Sequence, residues 1–155
     1  MSTVQMRKSE PLIRRFETVR AEQLALCDEL ERLADDLGER PDRQRCLELA
    51  RRMEAVMRRA HAFERSEMFP ALHRLTGKGT DRCDILPARL LEQLEAEQED
   101  DFFLVGEVTE ALLEFGGGNS SVSPDAIGYL LRGLFVGLRR HLALENETLA
   151  ALGEV

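Results

Sequence analysis

Residues 12–37 read LIRRFETVRAEQLALCDELERLADDL, and their spacing decides the fold class. Leu12, Phe16, Val19, Gln23, Leu26, Leu30, Leu33 and Leu37 follow one another at intervals of 4-3-4-3-4-3-4. Residues three and four apart share one face of an α-helix, so this is a seam of the kind that packs into helix bundles. One member is polar, Gln23.

Three interruptions divide the rest of the chain. They are Gly38 to Pro41, Thr76 to Asp84 with Gly77 and Gly79, and the run from Gly116 to Ser121 that leads into Ser123-Pro124-Asp125. Gly and Pro clusters break helices, and Ser123-Pro124 reads as an N-cap with proline at the first helical position. Helices are therefore expected over about 11–37, 42–75, 86–115 and 124–152. The second seam is Ala50, Met53, Met57, His61, Glu64, Met68, Leu72 and Leu75. The third is Leu91, Leu94, Gln98, Phe102, Val105, Leu112 and Phe115, with Gly106 a weak point or a close-packing site. The fourth is Ile127, Leu131, Leu134, Leu138, His141, Glu145, Thr148 and Leu152. No segment alternates with the strand period. Four helices on short loops predict an all-α, antiparallel, up-down-up-down four-helix bundle, one domain over residues 1–155.

Composition narrows the function. The net charge of −8 argues against a nucleic-acid or membrane-surface binder, which needs a basic face. No apolar run approaches the roughly 20 residues of a membrane span, and Met1 to Glu10 lacks the apolar stretch of a secretory signal. Cys27, Cys46 and Cys83 are odd in number, widely spaced and outside any C-x-x-C pair, which fits reduced thiols in a cytoplasmic protein. They read as small core or boundary residues. No glycine loop is followed by Lys-Ser or Lys-Thr, so no phosphate cradle is expected. A phosphotransfer histidine needs an exposed ring, whereas His61 and His141 sit on inward seams. No enzymatic turnover is expected.

The polar seam residues fall at one height. Counted along alternating helices, Gln23 and Gln98 each lie 12 residues after their helix start; His61 lies 14 before Leu75, and His141 lies 11 before Leu152. At ~1.5 Å per residue these heights agree to roughly 5 Å, one helical turn. A buried His–Glu pair needs partners or a cation, because an unpaired buried charge is costly, and bundle interiors are where metal sites are built from facing helices. Each polar residue taken alone is equally a register-setting or hydrogen-bonded core group.

At these residues the sequence resembles the hemerythrin-like, or HHE cation-binding, domain family. The stretch His61-Ala-Phe-Glu64-Arg65-Ser-Glu67-Met-Phe69-Pro70-Ala-Leu72 is similar to the family's His, Glu and Phe-Pro-x-Leu pattern. His141-Leu-Ala-Leu-Glu145 is similar to its closing H-x-x-x-E motif. Arg20 to Gln23 and Glu95 to Glu99 are similar to its first and third ligand helices. The resemblance implies a non-haem di-iron centre inside the bundle, held by histidines from all four helices and bridging carboxylates. It implies dioxygen binding, oxygen or redox sensing, or iron handling.

Three departures reduce that site. Gln23 and Gln98 stand where the family's first-helix and third-helix histidines are expected, and Arg65 stands where a second-helix glutamate is expected. A glutamine offers iron only a neutral carbonyl oxygen. An arginine stays protonated and repels a cation, or replaces it by pairing with Glu145 or Glu64. The resemblance carries over the ligands His61, His141 and Glu145, with Glu64 or Glu67 as the second-helix carboxylate. Such a set holds at most one metal, iron or zinc, with a small diatomic molecule as its further ligand. The alternative is a metal-free regulatory or interaction bundle that keeps only the fold.

The remaining signals read as structural. His73 is placed at the surface near a helix end. The acids among Glu97 to Asp101 form a solvated face, with a secondary cation contact as the other reading. Arg51, Arg52, Arg58 and Arg59 form a basic stripe pairing with first-helix acids such as Glu31 and Asp35. Met53, Met57 and Met68 are flexible core filler.

Overall fold

The computed structural model describes residues 3–74, 88–118 and 121–153, and among them every regular element is helical. Helix α1 spans Thr3–Asp36 and α2 spans Arg43–Phe63. A π-helical turn over Glu64–Met68 joins α2 directly to the short α3, Phe69–His73, so these three form one rod. Helices α4, Ala88–Gly116, and α5, Pro124–Gly153, complete the bundle.

The ends follow local chemistry. The Asp42 carboxylate accepts from the Arg45 N–H at 3.0 Å and caps α2. The Ser123 hydroxyl accepts from the Ala126 N–H at 3.2 Å, with Pro124 opening α5 as expected. Gly118, at φ +78°, reverses the chain after α4 in a conformation that a side chain disfavours. Helix α1 begins earlier than expected and runs through Pro11. A single proline removes one ladder hydrogen bond, which a helix this long absorbs. The positions Leu75, Cys83 and residues 86–87 lie outside the described residues, as do the side chains of Leu152 and of residues 3–10.

Cross-helix pairs set the directions. Arg45, Arg52 and Arg59, seven residues apart on α2, pair with Asp36, Glu29 and Glu22, seven apart in the opposite sense on α1. Arg132 and Arg139 of α5 pair with Asp35 and with Asp28 and Glu31. Both neighbours of α1 are thus antiparallel to it. The basic stripe pairs with α1 only in part. Glu31 and Asp35 face α5 instead of α2, and Arg58 turns to Glu54 on its own helix. Neighbouring residues diverge by about 100° around a helix, so Arg58 and Arg59 cannot serve one partner helix.

Helix α4 lies beside both α2 and α5. Among the described residues no Cα of α2 or the π-turn comes within 8 Å of α5, and none of α1 within 8 Å of α4; these are the diagonals of the bundle.

The core is in two parts. One cluster contains Leu26, Leu30, Met53, Met57, Val105, Leu112, Leu134 and Leu138. The other contains Phe16, Phe63, Met68, Leu72, Leu91, Leu94 and Leu149. At their junction each rod carries buried polar groups: Gln23, then His61 and Glu64, then Gln98 and Asp101, then His141 and Glu145. The seam of α4 differs from expectation here. Asp101 points inward and Phe102 is 55% exposed, because the buried positions step 98, 101, 105 and not 98, 102, 105.

Cys27 and Cys46 are free, buried thiols, and burial raises the pKa of both, that of Cys27 to about 12. Thiolate is the reactive form. Iodoacetamide at about pH 8 should therefore label either residue only after denaturant is added. Peptide mass spectrometry reads this, and rapid labelling of either in the folded chain contradicts the packing.

Candidate metal centre

The second rod brings its carboxylate inward where its helix widens. Proline lacks an N–H and its ring crowds the carbonyl four residues earlier, which for Pro70 is that of Ser66. The ladder widens just before it: the Phe69 N–H donates to the Glu64 carbonyl, five residues back. The Ser66 hydroxyl adds to the distortion by donating to the Ala62 carbonyl at 2.6 Å. Glu64 opens this π-turn and is buried, while Arg65 is exposed. A π-turn inside an α-helix often marks a functional site.

Glu64, His141 and Glu145 meet in the polar layer. Each is at most 2% exposed, and one donor atom from each lies within 4.8 Å of the others. His141 Nε2 stands 2.9 Å from Glu145 Oε1 and 4.0 Å from Glu64 Oε1. Both atoms of the 2.9 Å pair are sealed from solvent, and beyond their ion pair neither makes a well-aligned hydrogen bond. On the other side of the ring, Nδ1 stands 3.1 Å from Glu97 Oε2. The Gln98 amide donates to Glu64 Oε2, and its own oxygen accepts from Arg65 Nε at 3.4 Å.

The electrostatics describe a strained set. Burial, and then the Glu145 carboxylate beside it, push Glu64 well above the usual carboxylate range. Burial opposes a charge on His141, but the carboxylates of Glu145, Glu64 and Glu97 outweigh it and hold the imidazole at about 9. Asp101 is raised to about 6, chiefly by burial and further by Glu97. Glu97 ends below its usual value: hydrogen bonds from Gln93 and His141 outweigh its partial burial.

The structure distributes the expected site residues as follows. Glu64, His141 and Glu145 converge. His61 is buried but sits outside the trio, its ring 5.9 Å from that of Phe102 and tilted by 49°. Burial, then the charges of Arg65 and His141, lower it to about 4. Glu67 is also outside the trio; it pairs with Arg15 of α1 at 2.5 Å. Arg65 reaches Gln98 and makes no ion pair with Glu64 or Glu145. Gln23 donates weakly to the Met57 sulfur at 3.9 Å. His73 pairs with Glu95 at 2.6 Å on the surface. Glu97 and Asp101 differ from the expected solvated face: Glu97 stands at His141 Nδ1, and Asp101 is buried. The available signal was Glu97's place next to the seam residue Gln98.

The family model for the hemerythrin HHE cation binding domain matches residues 12–152. The chain belongs to this family. No curated protein and no solved structure matched it.

The donor set fits one divalent cation of this family's kind. A ligating histidine commonly donates its second N–H to a carboxylate, which leaves the other nitrogen's lone pair for the metal; here Glu97 stands at Nδ1 and Nε2 faces the Glu145 and Glu64 carboxylates. Two carboxylates and a neutral imidazole carry two negative charges, matching a divalent ion. Metal bonds of about 2.0–2.2 Å allow two donors 2.9 Å apart to share one ion. Among the described residues no second set of three such donors converges: His61 lies against Phe102, and Gln98 is engaged by Glu64 and Arg65.

The raised groups set a pH dependence for the chelator-treated chain. A histidine whose folded value is raised from 6.5 to about 9 contributes stability that is full below 6.5 and is lost as pH rises through 9. Glu64, raised above its unfolded value, acts in the same sense. Urea denaturation should show stability falling by on the order of 2 kcal/mol between about pH 6.5 and about pH 9. His141→Gln should flatten that slope, and an equal slope in the variant would contradict the assignment.

Proposed function

We propose that this protein binds a single divalent metal, preferentially iron, on Glu64, His141 and Glu145, and serves as an iron-, oxygen- or redox-responsive element. The observation that carries this reading is the convergence of three buried donors from two rods, Glu64, His141 and Glu145, with ligand atoms within 4.8 Å of one another. Two carboxylates crowded against one buried imidazole carry excess negative charge, and a cation among them compensates it. Two carboxylates against one imidazole favour ferrous or manganous ion, because zinc sites draw more on nitrogen and sulfur. Iron bound there supplies a one-electron couple and an open position for a small diatomic ligand.

The chain's own groups prepare the site. Glu97 fixes the tautomer and orientation of His141. Gln98 steers one Glu64 oxygen and leaves the other facing the imidazole. The apolar clusters on either side exclude water, which strengthens every charge interaction in the layer. The donors' burial leaves no approach for an organic substrate, which supports binding and sensing over turnover. Among the described residues no helix is long and apolar enough to cross a membrane. The free thiols Cys27 and Cys46 support a reduced, cytoplasmic setting.

A second reading has its own support. With His141 held at about 9, the imidazole is protonated near neutrality and itself compensates the carboxylates, as a metal-free regulatory bundle requires.

Metal analysis separates the two. The purified chain, reconstituted anaerobically with ferrous ion and desalted, should retain about one ion per chain. His141→Ala and Glu145→Gln should lose it while circular dichroism keeps the helical signal. Retention of no ion by the folded parent chain would sink the metal reading in favour of the second.

A further inference from the structure

Beside the polar layer, between α2 and α4, lies an open groove of about 1020 Å³, a size suited to a small organic ligand. Its walls are mainly apolar. Phe102, Phe103 and Leu113 line it and are 55%, 65% and 41% exposed. The rings of Phe102 and Phe103 meet edge to face at 6.1 Å, and Phe102 also leans on His61, which lines the groove.

Gly106 makes room for this groove. A glycine inside a helix weakens it relative to alanine and usually has a packing reason, such as close approach of another backbone. Gly106 has none: a Cβ built there meets no atom within 4 Å. Its missing side chain therefore leaves open space in the groove wall. The neighbouring phase shift, Asp101 in and Phe102 out, lines that space with aromatic surface.

Charge at the rim selects the ligand. Glu54 already pairs with Arg58, whereas Arg65 makes no ion pair among the described residues and touches only the neutral Gln98 oxygen. The end of the groove near His61 thus presents an uncompensated guanidinium. Acids of α4, Glu107, Glu110 and Glu114, occupy the rest of the rim and repel a second anionic group.

We propose that this groove binds a small monocarboxylate with an apolar body, its carboxylate on Arg65 and its body against Phe102 and over Gly106. Guanidinium matches carboxylate in a bidentate fork, and the aromatic walls bury either a hydrocarbon chain or a flat ring. The site does not share the three metal donors, so it stands whether or not a cation is bound.

Calorimetric titration tests this with decanoate, 2-naphthoate and neutral 1-decanol, in chelator so that no carboxylate acts through a metal. At least one of the two acids should bind with 1:1 stoichiometry; which one does identifies the body as a chain or a ring. Arg65→Gln should weaken the acid by roughly 10-fold or more and leave the alcohol unchanged. Gly106→Leu occupies the space over which the ligand body lies and should weaken binding by roughly 10-fold or more while raising the melting temperature by roughly 2–4 °C, so lost binding is not lost folding. The proposal is overturned if neither acid binds or if Gly106→Leu binds as tightly as the parent. It also fails if acid and alcohol bind alike, or if sedimentation shows a dimer that Gly106→Leu dissociates, which would make a second copy the occupant.

Discussion

An imidazole placed between carboxylates governs the polar layer. His141 has Glu97 on Nδ1 and the pair Glu145 and Glu64 on Nε2, all at the junction of two apolar clusters. Burial, and then the neighbouring Glu145 carboxylate, both oppose a charge on Glu64 there. A proton on the ring or a cation in its place answers the same deficit. The surroundings follow from that demand. Gln98 is oriented by Glu64, Arg65 is drawn to Gln98, and Asp101 turns inward on the His141 side.

The layer interrupts the core, and the rods must be held in register by other means. Much of this falls to charge. The acids of α1 meet arginines from α2 on one flank and from α5 on the other, stepping seven residues at a time. Exposed pairs of this kind contribute little each; their value is in fixing one register among several that an aliphatic seam would accept. Arg139 does the most, reaching Asp28 and Glu31 while lying over the Phe135 ring.

Much of this was legible in the sequence. The 4-3 seam, the Ser123-Pro124 start and the coincidence of polar heights come from helix geometry alone, and they carried over to the bundle and its layer. Three features were not legible, each for a physical reason. A seam fixes which residues face inward but not the rotation of a helix to within one residue, so Asp101 and Phe102 exchanged places. The π-turn depends on how the chain accommodates Pro70, which periodicity does not record. The direction of a side chain on the layer's edge decides whether it joins the site; His61 and Glu67 had suitable chemistry and height but point to Phe102 and Arg15.

Glu64 belongs to one rod and His141 and Glu145 to the rod diagonally opposite, whose backbones do not come within 8 Å of each other. Adjacent rods already grip one another through seams and ion pairs; the diagonal has no such backbone contact. Across that diagonal the two rods meet through these three side chains, beside a core cluster that all four rods share. A change of charge on one rod is therefore felt directly by the rod opposite, through side chains and not through backbone.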